Sequence, residues 1–385
     1  MPSIDTAAAV LRIDLDALVE NYRMIQRQVA PAAVAGVVKA NGYGLGADIV
    51  ACSLQEAGCR HFFVAHVGEA MALRTILDNG TALFILNGLQ PGMESDCAAI
   101  GAIPVLNSLD QIARWSEMAR TLNRRLPAAL QADSGMSRLG LPPDEVAILR
   151  AEPERLADID LRLLMSHLAC ADDPDAPSNN KQRQSFEIFS KDFPDVPRSL
   201  DNSGGSFLHA RHFDMVRAGI ALYGGAPQGD GPIGAPQGDG PIMQPVVSLT
   251  AGIIQLRTVP AGAAVGYGLT HVCERPTRIA TIAVGYADGW PRHLSNRGSA
   301  YIGGHRAPIV GRVSMDSITL DVTDIPDALL YPGAPAELLG PHQTVDQVAA
   351  DAGTIAYEIL TQLGHRYHRT IQGAAMIRRQ RSMKA

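Results

Sequence analysis

The sequence predicts an α/β protein: a (β/α)8 TIM-type barrel followed by a mostly β C-terminal domain. Three observations carry this reading. Strand-like apolar runs alternate with helix-like segments over about 200 residues, the pattern of parallel strands joined by crossover helices. Counting them gives about eight repeats, which favours a closed barrel over an open doubly wound sheet. From Val246 onward short strands dominate, as in a separate β domain of roughly 140 residues.

Residues 1–10 are weakly patterned and either lead into the barrel or join the β domain. LRIDLDAL (11–18) alternates and gives way to a helix over 15–28. VAGVVK (34–39) reads as a buried strand ending at Lys39; Asn41, Gly42 and Gly44 then break it, and a helical pattern follows over 45–57. Further strands are predicted at HFFVA (61–65), ALFIL (82–86), IPVL (103–106), AALQAD (128–133), RLLMSH (162–167), RSLDNS (198–203) and FDMVRAG (213–219). Helices are predicted over 67–78, 108–122, 143–151 and 180–191.

GAPQGDGPI then occurs twice in succession, at 225–233 and 234–242. A Gly- and Pro-rich copy cannot continue a helix or a central strand, so this is a surface loop enlarged by duplication. The predicted organisation is a barrel over 11–224, a linker over 225–245, a β domain over 246–372 and a basic tail over 373–385. In the β domain, strands are predicted at VVSLTAGIIQLRTV, RIATIAVGY, SAYIG, APIVGRV, SITLDV and APAELLG, a helix over 354–363 and a last strand at RYHRTI.

A chain of 385 residues with 46% hydrophobic and 19% charged residues is enzyme-like in composition. A net charge of -6 points away from nucleic acid and membrane surfaces. Five cysteines, none spaced as C-x-x-C, argue against a disulfide framework or a zinc site. The N-terminus lacks a signal-peptide pattern and no run is long enough to span a bilayer, so a soluble cytoplasmic protein is expected.

The polar residues at the predicted strand ends converge on one barrel mouth. They are Lys39, Arg138, His167, Asn202, Ser203 and Arg217. The set lacks the paired carboxylates of a glycosidase, metal-ligand spacing and a G-x-S-x-G elbow. Ser203 with the backbone around Gly219 and Ile220 suits a phosphate, and a desolvated lysine suits imine chemistry. By residue type, pyridoxal phosphate is one cofactor among several that fit. Taken singly, each residue also has a bland reading: a core histidine, rim ion pairs, turn formers, a core methionine.

The order VVKANGYGLG, DSGMSRLG, MSHLACAD, NSGG, DMVRAGIALYG, VGYGLT, VGYADGWPR, VGRVSMD and TIAYEIL resembles the alanine racemase family over residues from about 10 to about 371. That resemblance implies a pyridoxal-phosphate enzyme racemising L- and D-alanine, acting as a head-to-tail homodimer with shared active sites, and supplying D-alanine for peptidoglycan. Lys39 then matches the lysine that holds the cofactor as an imine and moves one α-proton. Tyr267, from the partner subunit, matches the second base. Arg217 matches the arginine on the pyridine nitrogen, and His167 the link from that arginine to the tyrosine. Tyr43, Ser203, Gly219, Ile220 and Tyr357 match phosphate contacts, with Asn202 beside them. Arg138 matches the arginine on the phenolic oxygen, and Met315 of the partner subunit the backbone N–H that meets the substrate carboxylate. Asp172, Tyr286, Arg292 and Arg312 match the access corridor.

The chemistry fits those roles. One base on each face of a planar carbanion allows inversion. A tyrosine ordinarily keeps its proton to about pH 10, so it needs cationic help, which His167 and Arg217 would supply. An arginine at the pyridine nitrogen leaves that nitrogen neutral, which favours quick reprotonation over side reactions. One departure stands out. Many family members carry a modified lysine two residues before the Asp of D-[ST]-G-M; here it is Gln131, which cannot form a carbamate. An anion site beside Gln131 and Arg138 is expected, with chloride as its occupant. Competing readings are a racemase of another amino acid such as serine, a basic amino-acid decarboxylase of the same architecture, disfavoured by Arg217, and a non-catalytic cofactor carrier, disfavoured by the β domain.

Overall fold

The first strand does not enter the barrel. In the computed structural model, which describes residues 7–208, 211–227 and 243–373, β1 (Ala9–Asp14) pairs with strands of the C-terminal sheet. Asp14 ends it and accepts the Ala17 N–H at 2.9 Å, capping the helix Leu15–Val29 that begins the barrel layer. Residues 1–6, the tandem repeat from 228 to 242, the expected basic tail from 374 and residues 209–210 lie outside the described residues.

Eight parallel strands follow: β2 (Ala33–Val37), β3 (His61–Val64), β4 (Ala82–Ile85), β5 (Ile103–Leu106), β6 (Leu126–Gln131), β7 (Ile159–Met165), β8 (Arg198–Ser199) and β9 (Met215–Ala218). Their order is β8-β7-β6-β5-β4-β3-β2-β9. The β8–β9 seam is bridged where the Arg217 N–H donates to the Asp201 carbonyl at 2.9 Å. Strands of a barrel are covered on both faces, which is why HFFV, ALFI and IPVL are almost wholly apolar and buried. The crossover helices include Ala47–Glu56, Val67–Arg74, Leu109–Thr121, Pro143–Ala151 and Pro177–Ser190. The last opens on a proline, whose missing N–H costs nothing at a first helical turn. The short helix Glu94–Ala99 was not expected; six residues are too few to show a helical period.

The strand expected over 198–203 shrinks to two residues. Beyond Ser199 the chain turns, with Asn202 Oδ1 accepting the Gly205 N–H at 3.0 Å. This frees Asn202 and Ser203 from the sheet and places them at its mouth.

The second unit is mostly β, as expected. Its strands are β10 (Val247–Val259), β11 (Ala264–Val265), β12 (His271–Val272), β13 (Thr277–Ile282), β14 (Ser299–Ile302), β15 (His305–Pro308), β16 (Ile318–Asp321), β17 (Pro335–Leu339) and β18 (His368–Gln372). The order β15-β14-β17-β10-β1-β18 carries β13 and β16 as a branch from β10. Helices Val345–Ala352 and Ala356–Gln362 pack beside it. The apolar core runs without a break from the barrel into this sheet. No helix among the described residues is long and apolar enough to cross a membrane.

Candidate active site

Lys39 follows β2 after one residue, Val38, and begins an unusual turn. Ala40, Asn41, Gly42 and Tyr43 take φ of 53°, 54°, 62° and 53°, and Gly44 takes 84°. Four successive residues thus wind left-handed, at a cost of about 1–2 kcal/mol each for Ala40 and Tyr43 and less for Asn41. Such strain persists only where surrounding structure enforces it, and it concentrates at functional sites. Gly44 is required, because a Cβ there would lie 2.5 Å from the Leu360 carbonyl oxygen. Arg369 donates to the Gly44 carbonyl at 2.7 Å, so the second unit holds the end of the turn.

The turn delivers Tyr43 to the late barrel strands. Its buried ring stacks on Tyr223 with centroids 4.4 Å apart and meets Tyr357, from helix Ala356–Gln362, at 5.9 Å. Ser203 Oγ accepts the Gly219 N–H at 2.8 Å and the Ala221 N–H at 3.4 Å, so Ile220 lies in the same backbone cradle. A Cβ on Gly219 would sit 2.4 Å from the Tyr43 hydroxyl oxygen. Burial raises the pKa of Tyr43, and burial with Asp172 and Asp346 pushes Tyr357 up to about 12. Both hydroxyls therefore keep their protons and can donate to an anion. Hydroxyls, backbone N–H groups and a glycine that leaves room fit the phosphate end of pyridoxal phosphate. Gly219→Ala is expected to weaken pyridoxal phosphate uptake by the apoprotein about ten- to a hundredfold, the 1–3 kcal/mol of an overpacked contact. An absorbance titration checks this, and unchanged affinity would contradict the cradle.

Arg217 projects from β9 and is 3% exposed. It donates to the Ser199 carbonyl at 2.9 Å and hydroxyl at 2.6 Å, to the Ser166 and Leu200 carbonyls at 2.7 and 3.2 Å, and reaches His167 Nδ1 at 3.2 Å. Burial pushes its pKa down to about 10, against the Asp201 carboxylate, so it is still cationic at neutral pH. His167 falls well below its ordinary pKa through burial and then Arg217, Arg138 and Lys39. It is a neutral imidazole, and the expected cationic help comes from Arg217 alone. Because arginine only donates, His167 Nδ1 accepts and the ring proton is assigned to Nε2. Asn202 Nδ2 lies 3.4 Å from Nε2, two donors facing, and donates instead to the Leu168 carbonyl at 3.3 Å.

The Lys39 pKa is lowered by burial and by Arg138 and Arg217, against the opposing charge of Glu69. This raises the share of free amine at neutral pH. Arg138 is exposed, on a loop organised by Asp133, whose carboxylate accepts the Gly135, Met136 and Ser137 N–H groups at 2.9, 2.9 and 3.0 Å. Gln131 closes β6 and is buried; its amide donates to the Leu139 carbonyl at 3.1 Å. Asp172 is exposed on the loop after β7.

Tyr267, Tyr286, Arg292, Arg312 and Met315 gather on one loop cluster of the second unit. The backbone around Arg312 packs 3.2 Å from where a Cβ on Gly266 would be, and the Tyr286 and Ala287 N–H groups donate to the Ser314 and Met315 carbonyls, both at 3.0 Å. Asn296 and Ser295, after Arg292, accept the Gly311 and Val313 N–H groups at 2.6 and 3.0 Å. Tyr267 is 71% exposed and Met315 52%. No hydrogen bond among the described residues joins either to the barrel mouth of its own chain.

Sequence reasoning missed several residues here. Ser166 and Ser199 hold Arg217, Tyr223 backs Tyr43, and Glu69 and Asp133 organise the Lys39 and Arg138 turns. His212 and Asp201, buried at 2.7 Å, lie behind Arg217. Only D-x-G-x-S, a turn signature, marked one of these beforehand.

A partly buried lysine at a barrel mouth, an anion cradle and a buried arginine define a class: a Schiff-base enzyme of the barrel-plus-β type whose residues fit pyridoxal phosphate. The comparisons name the family. Residues 13–227 match the family description "Alanine racemase, N-terminal domain" and residues 246–371 "Alanine racemase, C-terminal domain". The chain belongs to the alanine racemase family. It is 53% identical over 365 residues to "Alanine racemase, catabolic" of Agrobacterium fabrum, covering 94% of this chain and 92% of that one. It is 50% identical over 369 residues to the alanine racemase of Brucella canis, covering 94% and 93%. It superposes on the crystal structure of alanine racemase from Bartonella henselae with covalently bound pyridoxal phosphate, with a TM-score of 0.90 and 43% identity, over 95% of this chain and 100% of that one.

Proposed function

We propose that the protein is a pyridoxal-phosphate-dependent alanine racemase that interconverts L- and D-alanine in the cytoplasm, as a homodimer. The observation that carries the reading is the contact of Arg217, on β9, with His167, just after β7, beside the Lys39 turn and the Ser203–Gly219 cradle. When bound, pyridoxal phosphate acidifies the α-hydrogen of an amino acid joined to it. Lys39 holds or returns a proton on one face and the partner's Tyr267 does so on the other. Tyr43, Ser203, Gly219, Ile220 and Tyr357 hold the phosphate, with Asn202 steadying the turn. Arg217 keeps the pyridine nitrogen unprotonated, which supports racemisation over decarboxylation. Arg138 meets the phenolic oxygen, and the N–H of the partner's Met315 meets the substrate carboxylate. Asp172, Tyr286, Arg292 and Arg312 border the access corridor. The exposure of Tyr267 and Met315, with no hydrogen bond to the barrel mouth of their own chain among the described residues, supports a site shared between two chains.

The test is a polarimetric assay of purified protein against a panel of L-amino acids. Alanine is expected to be the best substrate; turnover of serine or another amino acid without alanine would sink the assignment, and carbon dioxide release would favour the decarboxylase. Two directions of use are open to such an enzyme. Supply of D-alanine for peptidoglycan is the first; the catabolic name of the Agrobacterium relative favours the second, breakdown of alanine. Deleting the coding sequence separates them, because only the first makes growth depend on added D-alanine.

At Gln131 the proposal includes chloride. The Gln131 amide is turned to Leu139, which supports an anion and not Gln131 as the brace for Arg138. Crystals grown with bromide are expected to show an anomalous peak beside both residues. Water alone there, or a direct Gln131–Arg138 contact, would refute it.

A further inference from the structure

Glu69 grips the turn that carries Lys39 through a backbone hydrogen bond. Its Oε2 accepts the Ala65 and His66 N–H groups at 2.7 and 3.2 Å, closing the start of helix Val67–Arg74. Its Oε1 faces the other way and accepts the Ala40 N–H at 2.6 Å. Ala40 is the residue after Lys39 and the first of the left-handed turn. One oxygen would suffice for a helix cap; the second is committed to the turn. Beside that turn is an open pocket of about 460 Å³ lined by Val38, Asn41, Gly68, Glu69 and Leu73. The far end of the turn is held by different groups, Tyr223 against Tyr43 and Arg369 on Gly44.

We propose that Glu69 is a positioning residue for Lys39: its carboxylate pins Ala40 and so holds the strained left-handed turn that presents the lysine amine at the barrel mouth. The proposal rests on Lys39 being the lysine that carries the cofactor. The same carboxylate places a negative charge near the amine, opposing burial, Arg138 and Arg217.

Glu69→Gln separates this role from capping, because glutamine serves a capping box as glutamate does. It loses the charge and one of the two oxygens. Uptake of pyridoxal phosphate by the apoprotein, followed by the visible absorbance of the lysine adduct, is expected to slow about ten- to a hundredfold, the worth of a hydrogen bond to a charged group. The kcat should fall by a similar factor, with KM for alanine within about twofold. Melting temperature should move by only a few degrees, ~4 °C or less. Ala40→Gly favours a positive φ and should recover part of the loss in the double variant. Parent-like uptake and turnover in Glu69→Gln, a lower melting temperature with both rates unchanged, or no recovery by Ala40→Gly would each overturn the proposal. Covalent uptake by Lys39→Ala would remove the lysine assignment itself and this proposal with it, a result read without any Glu69 variant.

Discussion

Lys39→Ala is expected to abolish racemisation and the borohydride-reducible colour of the enzyme incubated with pyridoxal phosphate. Two losses combine. On the proposed assignment the amine is both the covalent anchor of the cofactor and the base on one face of the substrate; a positioned base alone is worth about 10²–10⁴-fold. A fall of at least about 10⁴-fold follows, to the limit of the assay. The fold should survive. Lys39 is only partly buried and its side chain sits at the mouth, not in the core. Lys39→Arg should not restore activity, because a guanidinium does not release a proton to form an imine. The lowered pKa of Lys39 gives the sign of the pH dependence: a group whose protonated form is disfavoured stays reactive below the usual lysine range, so uptake of cofactor should persist toward neutral pH. Colour that persists in Lys39→Ala and is still fixed by borohydride would place the anchor elsewhere.

The neighbourhood of that lysine shows where sequence reading succeeds and where it stops. β2 is legible because a buried parallel strand is a plain apolar run and N-G-Y-G breaks it. The left-handed course of Ala40 is not legible, because alanine does not favour positive φ; Asn41 tolerates it and accepts the Ala47 N–H at 3.0 Å, while Glu69 and Arg369, at the far end of the chain, hold the two ends of the turn. Likewise the expected strand over 198–203 read as six residues because Leu200 is apolar, while in space a turn at Asn202 ends it after two. The helix Val345–Ala352 is not among the expected elements, although Thr344 and Gln347 form a capping box, a signal present in the sequence. The pair Asp201–His212 could not be anticipated: nothing in the spacing of two polar residues says that both become buried. Tyr267 is legible by motif order and not by periodicity, since its own chain presents it as an ordinary exposed loop position.

That residue carries the second large effect. Tyr267→Phe is expected to lower racemisation by about 10²–10⁴-fold, the worth of one positioned acid or base. The loss must be equal in the two directions, because L- and D-alanine are equal in free energy and the ratio of forward to reverse kcat/KM is fixed. Racemisation alone therefore cannot tell one base from two. Exchange of the α-hydrogen with deuterated water can. With Lys39 intact, one enantiomer keeps its α-hydrogen on the lysine face and should still exchange, now without inversion; the other presents its hydrogen to the missing hydroxyl and should not. The structure gives a reason for a hydroxyl to work there. His167 Nδ1 accepts from Arg217, so Nε2–H is left to donate, and a tyrosine that has given up its proton needs such a donor with a cation behind it. His167→Phe breaks that line while leaving Tyr267 in place. It is expected to reproduce the one-sided exchange in weaker form, whereas a second base supplied by solvent would leave both enantiomers exchanging at similar rates in either variant. Equal, small losses of exchange for both enantiomers in Tyr267→Phe would count against two bases, and sedimentation showing a stable monomer with full activity would count against their coming from two chains.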